Sequence, residues 1–301
     1  MKVTVSGATG LIGSRLVRAL RARGDEVSVL SRDPDRARER LGVEVVRWIP
    51  EREPAPLAAL AGRDAVVHLA GEGVAQRWSE QAKQAIRRSR EGGTANLVAA
   101  LGEAEPRPSV LVCSSATGFY GPRGEERLEE SAAPGSDFLA KVCVAWEKSA
   151  DAAAGIGVRV VKVRTGVALD SSAGALKTML PPFRLGVGGP VAGGRQYLPW
   201  VHVDDVVGIY LAALDGKEWS GAVNASAPEP VTNRDFSRAL GRALHRPAIL
   251  PVPGLALRAL YGDMAEMVTQ GQRAVPARAL ALGYSFRHPD LDEALRSALA
   301  K

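Results

Sequence analysis

The chain has 301 residues, 46% of them hydrophobic, which suits one large α/β domain or two unequal ones, and no composition break or Ser/Gly linker separates independent halves. Its formal charge of +6 comes from basic residues dispersed among acids; Arg87-Arg88-Ser89-Arg90 is the one dense cluster and lacks an interleaved aromatic stripe, so no nucleic-acid partner is expected. The longest apolar stretches, such as 64–70 and 158–163, are strand length, far below the roughly 18 residues of a membrane span, so no membrane partner is expected either.

Residues 2–6 predict a short β-branched strand, entered so early that no secretory leader is expected. Gly7, Gly10 and Gly13 follow, and Leu11, Ile12, Leu16, Val17 and Leu20 then recur at helical spacing over 11–23. Strand, glycine turn and helix is the context of a dinucleotide loop: Gly7 for a tight turn, Gly10 for close approach of a pyrophosphate, Gly13 for close packing of helix on strand. The first amides of the helix would face the phosphates, with Thr9, Leu11 and Ile12 among the contacts. The next strand, 26–30, ends in Ser31-Arg32, where an NAD site would carry an acid. Arg32 suits a 2′-phosphate and predicts NADP(H); alternatively it belongs to the solvated run Arg32-Asp33-Pro34-Asp35-Arg36.

Further strands are predicted at 43–48, 64–69, 109–113 and 158–163, with helices over 79–103 and 137–154. This alternation implies a doubly wound parallel sheet of Rossmann type, with ligands at the carboxyl ends of the strands. The expected crevice is therefore lined by Ser31 and Arg32, by Leu69, Ala70 and Gly71, by Ser114 and Ser115, and by Arg164, Thr165 and Gly166. Cys113 and Cys143, both in apolar surroundings, read as buried thiols of a reducing cytoplasm. Beyond residue 165 the chain becomes Gly-rich over 185–194, then mostly helical after 231, with Pro247, Pro251 and Pro253 as breaks. The expected division is a dinucleotide-binding core of residues 1–170, joined again by 199–228, and a smaller, mostly helical substrate cap of residues 171–198 and 229–301.

The motifs Gly7-x-x-Gly10-x-x-Gly13, His68-Leu69-Ala70-Gly71, Gly93-Thr94-x-Asn96-Leu97, Ser114-Ser115 before Tyr120-Gly121, and Trp200-Val201-His202-Val203-Asp204-Asp205 together resemble the extended short-chain dehydrogenase/reductase superfamily, in its nucleotide-sugar epimerase and dehydratase group. Trp78 with Ser89-Arg90, the run from Pro182 to Pro190, Trp146-Glu147, and the tail Gln270-Gly271-Gln272-Arg273 with Gly283-Tyr284 are similar to one branch of it. These are epimerase-like proteins with a C-terminal domain of unknown function, some labelled cell-division-inhibitor homologues. The resemblance implies NADP(H) binding, with Ser31, Arg32, Leu69, Ala70 and Arg90 as contacts and Arg90 a second cation for the dinucleotide.

The family's catalytic groups line up less well. Its oxidoreductases use a Tyr four residues before a Lys, so that the ammonium lowers the Tyr pKa. Counting back from Lys141 gives Asp137. The helping Ser or Thr falls on Ala116, with Ser115 one place earlier. Lys141 is expected to hold the nicotinamide ribose, or else to pair with an acid on the helix surface. Asp137 reads as a base or, alternatively, as the cap of the helix. Tyr120 is a second possible acid or a structural Tyr-Gly, and His202 a proton relay or the brace of a strand–helix junction. No metal set is expected, because His68, His202, His245 and His288 fall in separate segments without ligand spacing. Two functions follow: an NADP(H)-dependent oxidoreductase or epimerase acting on a small molecule, of which a nucleotide sugar is one class, or an NADP(H)-binding sensor without turnover. The oligomeric state is left open.

Overall fold

In the computed structural model, which describes residues 1–300, alternating strands and helices build a seven-stranded parallel sheet. The strands are β1 (Lys2–Ser6), β2 (Glu26–Ser31), β3 (Glu44–Arg47), β4 (Ala65–His68), β5 (Val110–Ala116), β6 (Arg159–Thr165) and β7 (Gly221–Ala225). Their spatial order is β7-β6-β5-β4-β1-β2-β3. The order reverses beside β1, which pairs with β2 on one side (Val5↔Val29) and with β4 on the other (Val5↔Val67). A crevice opens at such a switch point, outside the carboxyl ends of the strands.

The central strands β1, β4 and β5 are buried on both faces, as β-branched runs such as Val66-Val67 require, whereas the edge strand β3 buries only Val45. On one face α1 (Leu11–Ala22) and α6 (Val203–Asp215) supply Leu16, Val17, Leu20, Ile209 and Tyr210 to the core. On the other, α3 (Glu80–Glu103) and α4 (Phe138–Asp151) supply Leu97, Leu101, Trp146 and Ala150. Each fully buried Leu, Ile or Val of these layers contributes about 1.5–3 kcal/mol of transfer free energy. The helix α2 (Pro34–Leu41) follows β2; Asp33 caps it by accepting from the Arg36 amide, and Gly42 ends it in the left-handed conformation.

The later chain is largely helical: α5 (Gly174–Arg184), α7 (Asn233–Leu244), α8 (Gly254–Tyr261) and α9 (Leu291–Leu299). Leu176, Leu180 and Phe183 of α5 meet Phe236 and Leu240 of α7 and Leu295 of α9 in a separate apolar cluster. Between α5 and α7 the chain comes back to the sheet, because β7 adds beside β6 through Asn224↔Arg164, while Trp200 pairs with Val167 in a separate two-stranded sheet. The predicted strand after residue 109 extends three residues further, to Ala116, and the helix predicted to begin at residue 137 begins at Phe138.

Candidate functional site

The glycine loop is shaped as the sequence requires. Gly7 has φ +68°, and a Cβ there would come within 2.6 Å of the Leu69 carbonyl carbon; a Cβ on Gly13 would come within 2.4 Å of the Gly7 oxygen. The Gly10 amide closes the turn on that same oxygen at 3.1 Å. Gly10 is also the N-cap of α1 and offers no side-chain cap, so the first amides of the helix are available to an anion. Leu11, Ile12 and Gly13 form that first turn, Ile12 packing on the core and Gly13 buried.

Beside this loop lies a cavity of about 730 Å³. Gly7, Thr9 and Gly10, then Ser31 and Arg32, then Leu69, Ala70 and Gly71 line it together, so three strand ends meet in one crevice. Arg36, Arg40, Arg52 and Arg88 line it as well, none of which the sequence reasoning selected. With Arg32 they make five guanidinium groups on one crevice, and none has a side-chain hydrogen bond or ion pair within the described residues. The acids on the walls are Asp33, Glu51 and Glu72, fewer than the arginines. Such arginines around a glycine loop and an uncapped helix start fit a ligand with several phosphates. The signal was present in the sequence: Arg32, Arg36 and Arg40 recur every fourth residue, which puts them on one face of α2 and its entry.

The other predicted contacts lie outside this cavity. Arg90 sits behind its wall, donating to the Glu72 carbonyl at 2.8 Å and standing over the Trp146 ring at 5.1 Å. Its guanidinium carbon would be 3.3 Å from a Cβ on Gly71, so that glycine makes room for it. Ser114 and Thr165, at the ends of β5 and β6, adjoin the Tyr210 hydroxyl, whose pKa burial pushes up.

Arg164 is a correction. Rather than reaching a cofactor it is buried, gripping Glu147 through Nε at 2.8 Å and Nη2 at 2.9 Å, donating to the Tyr120 hydroxyl at 3.0 Å, and stacking 3.5 Å from the Phe119 ring centre. Burial acts to lower its pKa, but the hydrogen bond and charge of Glu147 more than offset this and raise it. Ser115 belongs to the same network: its hydroxyl donates to Glu147 at 2.7 Å, and only 2% of the residue is exposed. Tyr120 donates to Asn224 at 2.7 Å and is buried. Alternation along β5 explains the miss, since Ser115 points to the face opposite its neighbours Ser114 and Ala116.

The helix α4 departs from the expected register. Asp137 is its N-cap, accepting from the Ala140 amide at 3.0 Å, and Lys141 stands exposed in a shallow groove with Glu91 and Lys148. The pair that faces the end of β5 is instead Leu139 and Cys143, one turn apart. Leu139 lies 3.6 Å from where a Gly118 Cβ would be, and the Cys143 thiol lies beside the Ala116 backbone. Burial pushes that thiol up to about 12. An aliphatic chain and a buried thiol thus lie against the end of β5, and neither is a proton donor near neutral pH. His202 is buried and caps α6, its Nδ1 accepting from the Asp204 amide at 3.2 Å.

With this geometry the comparisons agree. The chain belongs to the NAD dependent epimerase/dehydratase family, which matches residues 3–225, and its tail over 252–298 matches a domain of unknown function, DUF1731. It is 39% identical to the chloroplastic homologue of epimerase family protein SDR39U1 from Arabidopsis thaliana, over 99% of this chain and 87% of that one. It is 38% identical to the Mus musculus SDR39U1, over the whole of both chains. The crystal structure of human SDR39U1 (isoform 2) with NADPH superposes with a TM-score of 0.89, at 35% identity and complete coverage of both. The Thermus thermophilus UDP-glucose 4-epimerase, at 22% identity and a TM-score of 0.80, shares the fold.

Proposed function

We propose that this protein binds NADP(H) in the arginine-walled crevice and acts as an epimerase-family oxidoreductase on a small molecule held between the sheet and the C-terminal helices. The observation that carries the reading is the set of five arginines without a side-chain partner among the described residues, three of them in register on α2 and its entry. In this reading the glycine loop and the start of α1 hold the pyrophosphate, while Arg32, Arg36 and Arg40 hold the 2′-phosphate that distinguishes NADP(H) from NAD(H). The human relative crystallised with NADPH supports the same assignment. When bound, the nicotinamide supplies hydride chemistry. The residues of the chain orient the cofactor and exclude water, with Leu139 and Cys143 as a wall that moves no proton, so the substrate or solvent carries the proton. A nucleotide sugar is the substrate class the family suggests. The two free cysteines are both buried, which suits a reducing compartment such as the cytoplasm, and among the described residues no helix is long and apolar enough to cross a membrane.

The apolar Leu139 and Cys143 favour a second reading, an NADP(H)-binding protein without turnover. Titration of NADPH and NADH fluorescence tests the first part. Arg36→Ala with Arg40→Ala should weaken NADPH about 10–100-fold, the equivalent of one or two charge-assisted hydrogen bonds, while leaving NADH little changed. An unchanged NADPH-to-NADH ratio would remove the 2′-phosphate assignment. Mass spectrometry of the co-purified ligand, followed by addition of metabolite pools, separates enzyme from sensor: oxidation of bound NADPH supports the enzyme, and persistent occupancy without turnover supports the sensor.

A further inference from the structure

His202 and His288, far apart in the chain, stack with ring centres 3.8 Å apart. Asp204 lies beside both: its Oδ2 is 3.7 Å from His202 Nδ1 and 3.9 Å from His288 Nε2. One donor atom from each of the three residues falls within 4.8 Å of the others. We infer that His202, Asp204 and His288 form a binding site for a zinc-type divalent cation that fastens the C-terminal tail to the start of α6.

The donor chemistry, two imidazoles and one carboxylate, suits Zn²⁺ and its first-row neighbours rather than Ca²⁺ or Mg²⁺. Ligands of a tetrahedral zinc ion, each about 2.0–2.1 Å from the metal, lie about 3.3 Å apart. Closing the site therefore requires the Asp204 oxygen to approach each imidazole nitrogen by about half an ångström and the two stacked rings to splay so that both nitrogens face the ion; the Asp204 side chain, 30% exposed, has room to turn. A coordinated His202 Nδ1 would exchange its cap bond from the Asp204 amide for the ion.

The surroundings are built as a metal site's outer partners usually are. His288 Nδ1 meets both carboxylate oxygens of Glu293 at 3.0 Å, which fixes the ring and turns Nε2 toward Asp204. Asp205 accepts the backbone amides of Arg287 and His288 at 2.7 and 3.0 Å, holding the tail in place before any ion arrives. Arg15 lies 3.8 Å from Asp204, but its nearer partner is Asp170, so its charge is answered without Asp204. Three protein donors leave the fourth tetrahedral position to water.

The experiment is titration of the metal-stripped full chain with Zn²⁺ against a chromophoric chelator, and with Co²⁺ by visible absorption. One ion per chain with micromolar or tighter affinity is expected, and the Co²⁺ form should show d–d bands without thiolate charge transfer, which separates this site from Cys113 and Cys143. His288→Gln should abolish stoichiometric binding. Glu293→Gln, which keeps all three ligands, should weaken it about 10–100-fold. Unchanged circular dichroism and NADPH titration show that these variants are folded. Absence of stoichiometric binding at micromolar Zn²⁺, or wild-type affinity in folded His288→Gln, overturns the proposal.

Discussion

Replacing Arg164 by Met removes one side of the buried pair with Glu147. Both side chains are about 5% exposed, and Glu147 keeps the Ser115 hydroxyl but loses both bonds from the guanidinium. Removing one partner of such a buried pair destabilises by about 3–5 kcal/mol, Lys162 at 3.8 Å answering only part of the charge left on Glu147, and the Tyr120 hydroxyl loses a donor as well. Unfolding entropy of roughly 2.1 cal/mol/K per residue gives about 0.6 kcal/mol/K for a chain of this length, so Tm should fall by about 5–8 °C. Adding Glu147→Gln should restore part of the loss, because the charge left behind is gone. Differential scanning calorimetry reads the stability and fluorescence titration reads NADPH affinity, which should stay within about twofold once the variant is folded. A variant with native Tm and NADPH binding weakened more than tenfold would show that Arg164 touches the cofactor and that its burial with Glu147 has been misread.

Other outcomes follow from single residues. His68 is fully buried and burial lowers its pKa to about 4; the unfolded chain, at about 6.5, binds more protons between those values, so this stabilisation is complete above about pH 6.5 and is lost as pH falls toward 4, a change of about 3 kcal/mol. Urea midpoints across that range should show the slope in wild type and a flatter one in His68→Asn. Asp137→Ala removes the cap of α4 and should cost about 1 kcal/mol in urea unfolding, with NADPH affinity unchanged. Lys141→Ala should leave NADPH affinity unchanged too, since its side chain is exposed outside the crevice; weaker binding would return Lys141 to the ribose role. Gly13→Ala places a Cβ 2.4 Å from the Gly7 oxygen and should abolish NADPH binding by moving the loop, measurable by the same titration.

Most of the sheet was legible because parallel strands buried on both faces must be runs such as Val66-Val67, and the glycine loop because its three glycines each exclude a Cβ or a φ that other residues need. Arg32 was legible as a cation at the end of β2, whereas Arg36 and Arg40 were visible as spacing but indistinguishable from a solvated helix face without knowing which side of α2 meets the crevice. The register of α4 was not legible: counting from Lys141 presumes that the lysine faces inward, and only packing shows Leu139 and Cys143 there instead. Arg164 and Ser115 had the right position along their strands, but Glu147 sits across from them and captures both. The pairing of His202 with His288 depends on a tail that closes over α6, a contact that local spacing cannot encode.

Five guanidinium groups lining one crevice that carries only three carboxylates also bear on the protein when it is empty. Like charges gathered in one place repel, so the ligand-free fold gives up some of its stability, and a polyanion that neutralises them restores it. At a hundred times its dissociation constant such a ligand adds about 2.7 kcal/mol, roughly a hundredfold in the ratio of folded to unfolded chains. Degradation in a cell acts on the unfolded fraction. The amount of this protein that survives would then rise and fall with the supply of its ligand, whatever reaction it performs.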